Sequence, residues 1–99
     1  MSGGTGHVVR DEDVYGWQRR LAREEGIFSE PAGAVALAGL ARAAAAGEIG
    51  RDSRVVCLVT GSGFKDGESV ERMVENESCP RLDNFTAFER EVAALVHRG

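Results

Sequence analysis

The sequence predicts a partial three-layer α/β fold, mostly helical and built on one or two parallel strands. Three observations predict it. An apolar run without alternation, Val55-Val56-Cys57-Leu58-Val59, ends abruptly in the turn Thr60-Gly61-Ser62-Gly63, as in a strand covered on both faces within a parallel sheet flanked by helices. Apolar residues recur at helical spacing in the stretches on either side. The resulting order, (β)-α-α-β-α-α, holds too few strands to build a covered sheet alone, so part of the architecture is missing.

Residues 1–6 (MSGGTG) read as a flexible N-terminus, and residues 7–99 as one partial α/β domain. His7-Val8-Val9 reads as a very short strand. From Asp11, the residues Val14, Trp17 and Leu21 recur at helical spacing, with Asp11, Glu12 and Asp13 in the first turn and Gly26 as the stop. Trp17 is expected to anchor a core. A second helix opens at Pro31, which suits the first helical position and makes Glu30 the expected cap. Its body is dominated by alanine and glycine, so it is expected to be enclosed on more than one side. Gly33 and Gly39 each cost about 1 kcal/mol against alanine there and call for a packing or ligand reason. Gly47 ends that helix, and residues 50–53 turn the chain into the central strand. Beyond the glycine-rich turn, Val70, Met73 and Val74 mark a short helix over 68–76, and Pro80 a break. A final helix begins near Thr86, capped by Asp83 or Asn84, with Phe88, Val92, Leu95 and Val96 on its apolar face and Gly99 at its end.

Composition excludes several classes. The chain has 99 residues, 42% of them hydrophobic, and a formal net charge of -4. A domain this small buries roughly 60–65% of its unfolded surface and is marginal unless well packed or paired. Acidic and basic residues are interspersed, leaving no basic stripe for a nucleic acid. No apolar run approaches the roughly 20 residues of a membrane span, and the N-terminus lacks the pattern of a signal peptide, so a cytoplasmic location is expected. Cys57 and Cys79 match neither a CxxC site nor a disulfide framework and read as free thiols. His7 and His97 show no ligand spacing and read as surface histidines, and no metal site is expected. Lys65 is the only lysine.

Two blocks in the right order carry a resemblance: Glu25-Gly26-Ile27-Phe28-Ser29-Glu30-Pro31-Ala32-Gly33-Ala34, and Arg54 through Thr60-Gly61-Ser62-Gly63-Phe64-Lys65-Asp66. With Val9-Arg10-Asp11-Glu12-Asp13, they closely resemble the C-terminal part of threonine synthases, pyridoxal-phosphate enzymes of the tryptophan synthase β type (fold type II). The resemblance implies pyridoxal phosphate as cofactor and, for the parent enzyme, a lyase of amino-acid biosynthesis that converts O-phosphohomoserine and water to threonine and phosphate. It implies that the Thr60 hydroxyl faces the ring nitrogen of the cofactor, that Gly61 and Gly63 let the backbone pass close by, and that Glu30 lies near the ring. The plainer reading of Glu30, a helix cap, stays open beside it. Lys65 and Asp66 are expected to hold the turn by local pairing, and Ser29 receives no role.

The Schiff-base lysine and the glycine-rich phosphate loop of this family lie far upstream of these blocks, and neither is in this chain. Lys65 matches the KD of the downstream motif, and GSGFKD lacks P-loop spacing. No catalytic residue is therefore expected here, and the chain alone is expected to be inactive. Two classes of function stay open. One is a C-terminal fragment that forms part of a cofactor site with a separate N-terminal chain. The other is a non-catalytic remnant or a small interaction module that associates with itself or another protein.

Overall fold

A computed structural model describes residues 2–78 and 80–98. The readings placed on Cys79, and on Gly99 as the end of the last helix, lie outside the described residues.

Four helices form. Helix α1 spans Asp11–Glu25 and ends at Gly26, whose left-handed backbone (φ 70°) lets its own N–H donate to the Ala22 carbonyl and the Ile27 N–H to the Leu21 carbonyl. Helix α2 spans Pro31–Ala45, α3 Gly67–Val74 and α4 Phe85–Arg98. A short 3-10 turn, Gly63–Lys65, precedes α3. The expected starts and stops hold closely: Pro31 opens α2, and the Asn84 side chain accepts from the Ala87 N–H at 2.8 Å at the start of α4, as an N-cap does.

The core is the contact between α1 and α2. Val14, Ala34 and Ala38 are buried together, with Val9 and Trp17 packed against them. Alanines on α2 let the two helices approach closely, while their small side chains bury little apolar area, so this core is slight.

The two expected strands do not form a sheet. Among the described residues no ladder exists, only one isolated antiparallel bridge between Ser29 and Ser62. The physical reason is that a strand needs a neighbour, and no second run lies beside residues 54–60. Val56 is 89% exposed and Leu58 78%, whereas Cys57 and Val59 are half-buried. Among the described residues, residues 7–9 likewise join no ladder; Val9 instead packs against the helical core.

The enclosure expected for α2 is also absent. Gly33, Ala34, Ala38 and Ala43 are buried, but Val35 is exposed and Gly39 meets open space. The apolar stripe of α4, with Phe85, Phe88, Val92, Leu95 and Val96, is exposed as well.

Whole-molecule dimensions agree. The radius of gyration is 18.5 Å, against about 13 Å for a compact chain of this length. The accessible surface is 8005 Å², against roughly 5,500 Å² for a folded monomer of this mass. Among the described residues no helix is long and apolar enough to cross a membrane.

Candidate functional site

The loop before α2 and the turn after residue 59 meet. Gly63 N–H donates to the Phe28 carbonyl at 2.9 Å and Glu30 N–H to the Gly61 carbonyl at 3.2 Å, one bond on each side of the Ser29–Ser62 pair. The Phe28 and Phe64 rings pack edge to face, 4.9 Å apart, which adds about 0.5–1.5 kcal/mol beyond the area they bury. Two blocks more than thirty positions apart in sequence are thereby held as one site.

Gly33 and Gly61 make the approach possible. A Cβ at position 33, in the first turn of α2, would run into the Thr60 carbonyl. Gly61 has φ 71°, a conformation costly for other residues, and a Cβ there would overlap the Glu30 carboxylate. The helix therefore rests directly on the backbone of the turn, and the glutamate lies across it.

All three sequence-predicted site residues are brought together here. Thr60 is exposed, and its hydroxyl makes no hydrogen bond to the described residues. Gly61 follows it, and the half-buried Glu30 side chain covers Gly61. Glu30 occupies the residue before α2, but its side chain makes no capping hydrogen bond; its Oε2 stands 3.3 Å from Lys65 Nζ. The cap reading of that side chain is thus replaced by an ion pair across the site. Of the local pairing expected for Lys65 and Asp66, Asp66 makes its share and Lys65 instead pairs across the site. Lys65 reaches Glu30, while Asp66 Oδ2 accepts from the Ser69 hydroxyl at 2.6 Å and lies 3.9 Å from Arg72 Nη2.

One residue that sequence reasoning passed over proves central. Gln18 is fully buried, and its Nε2 donates to the Ser29 carbonyl at 2.7 Å and to the Ser69 hydroxyl at 2.9 Å. Ser29, to which the sequence assigned nothing, is buried with it. A signal was available: Gln18 follows Val14 by four positions, which puts it on the apolar face of α1 rather than the polar one.

The residues fit one end of a pyridoxal phosphate site. An exposed hydroxyl at the end of an unpaired segment, beside a turn that only glycine can make, is able to donate a hydrogen bond to a ring nitrogen. The single lysine of the chain, Lys65, is paired with Glu30.

The family model of pyridoxal-phosphate dependent enzymes matches residues 1–61. The chain is 47% identical over 74 residues to the threonine synthase of Methanocaldococcus jannaschii, covering 75% of this chain and 18% of that protein. It is 49% identical over 69 residues to the threonine synthase of Methanosarcina acetivorans, covering 70% and 17%. With that of Mycobacterium leprae it shares 36% over 83 residues, covering 84% and 23%. The chain thus spans about a fifth of the length of these curated relatives. No solved structure matches it. The match over more than half of its residues places this chain in the family of pyridoxal-phosphate dependent enzymes.

Proposed function

We propose that this chain is the C-terminal part of a threonine-synthase-like enzyme, and that it lends a strand and a hydroxyl to a cofactor site completed by further polypeptide. The observation that carries this reading is the bare segment 54–60. None of its backbone groups takes part in a hydrogen bond with the described residues, and its outer side chains Val56 and Leu58 are exposed. A segment with both edges free and one apolar face uncovered suits an interior strand of a parallel sheet, with α2 on one side and a missing layer on the other. That completion would give the three-layer α/β fold.

Thr60 ends that segment, where open α/β sheets bind ligands. Pyridoxal phosphate, when bound, supplies an electron sink for chemistry next to an amino group. The Thr60 hydroxyl would donate to the ring nitrogen and keep its own proton, leaving that nitrogen uncharged, as suits elimination and replacement at the β and γ carbons. Gly61 would keep side-chain bulk away from the ring. Glu30, held by Lys65, would present a fixed negative charge at the rim. The Schiff-base lysine and the phosphate loop would come from the upstream polypeptide, so the chain alone would be inactive. The parent reaction this reading assigns is the conversion of O-phosphohomoserine and water to threonine and phosphate, in which phosphate would leave the γ carbon and water would add at the β carbon.

The test is complementation. The chain is mixed with the Methanosarcina acetivorans threonine synthase truncated before its matching segment, in the presence of pyridoxal phosphate. The expected result is a visible absorbance band and threonine formation on mixing, and neither from either part alone. A mixture that stays colourless, with the chain forming a compact self-associated species, supports the interaction-module reading instead.

A further inference from the structure

The strip 28–30 is tied to residues 61–63 by only two backbone hydrogen bonds, too few to hold two distant segments in register unaided. Gln18 supplies what is missing. We propose that Gln18 is a positioning residue: its amide clamps the Ser29 carbonyl from within the core and so fixes where Glu30 and Thr60 stand. Only for what those two residues bind does the proposal rest on the function proposed above.

The geometry carries the argument. Ser29 sits at the centre of the bridge, with Phe28 and Glu30 bonded to the turn on either side of it. Its carbonyl receives the Gln18 amide at 2.7 Å in a region closed to water, where Gln18, Ser29 and Ser69 have at most 1% of their surface exposed. An apolar residue at position 18 would leave that carbonyl buried and unpaired, and a carboxylate could not donate to it. The amide cannot swing away. Its second N–H is held by the Ser69 hydroxyl at 2.9 Å, which accepts also from Arg72 Nη2 at 3.1 Å and donates to Asp66 Oδ2 at 2.6 Å. Through one side chain, α1 fixes both the loop that opens α2 and the first turn of α3.

Amide hydrogen exchange on the isotopically labelled chain tests this without cofactor. In the Gln18→Met variant the Glu30 and Gly63 amides are expected to exchange about tenfold faster, while those of Ala34 and Ala38 in α2 stay within about twofold of the parent. The Ser29 carbonyl carbon is expected to shift as its side-chain hydrogen bond is lost. Ser69→Ala, which frees the Gln18 amide without removing it, is expected to give a smaller acceleration at the same two amides. A uniform acceleration through α1, α2 and the strip would reduce Gln18 to a packing residue and overturn the proposal. So would unchanged exchange at Glu30 and Gly63, or an absence of protection there in the parent chain. Because pyridoxal phosphate does not enter the measurement, failure here leaves the complementation result standing, and the reverse.

Discussion

At Gly33 the first turn of α2 lies so close to the Thr60 carbonyl that a methyl group has no room. The neighbour is backbone, which cannot rotate aside, so Gly33→Ala is expected to cost about 1–3 kcal/mol. Chemical denaturation followed by circular dichroism measures it, with a drop in midpoint as the expected outcome. Gly39, two turns on, faces open space, and Gly39→Ala should stabilise the helix by up to about 1 kcal/mol. The sequence posed the same question of both glycines, and only the tertiary contact separates them. Thr60 makes the complementary prediction about function: in the complemented enzyme Thr60→Val, similar in shape and lacking the hydroxyl, should weaken pyridoxal phosphate binding by about tenfold, read by absorbance titration.

Elements were legible where their signals are local. Gly26, Pro31 and Asn84 mark helix ends through the backbone conformations and hydrogen bonds they favour, and the structure uses each so. Asn84→Ala should therefore cost α4 about 1 kcal/mol, visible as a loss of helical ellipticity. Within α1, Arg20 Nε stands 3.0 Å from Glu24 Oε1, and the hydrogen bond from Arg20 holds the Glu24 carboxyl below its ordinary value. A carboxylate depressed in the folded state contributes stability above its unfolded pKa and loses it as pH falls through the folded one. Acidification should thus loosen this turn slightly, both groups being exposed. Arg20→Ala should return the Glu24 titration to the ordinary carboxylate range, as followed by NMR. The strand was not legible in the same way. Its composition was read from Val55 to Val59, but a ladder belongs to two segments, and among the described residues none pairs with it. Gln18 was hidden for a related reason: a polar residue on an apolar face looks like an interruption until Ser29 and Ser69 are seen to need it.

For the whole molecule, the radius of gyration of 18.5 Å and an accessible surface of 8005 Å² describe a chain whose parts do not close on one another. The α1–α2 pair is packed; residues 54–60 and α4 present apolar side chains to water. The candidate site shares this half-built character. Thr60, Gly61 and Glu30 converge, and the chain spans about a fifth of the relatives' length. The central claim is that residues 54–60 await a sheet. The most direct measurement is amide exchange at Val55 to Val59, taken on the chain alone and again with the upstream polypeptide and pyridoxal phosphate added. Fast exchange alone and strong protection in the mixture is the predicted result; protection already present in the isolated chain, or none gained on mixing, would contradict it.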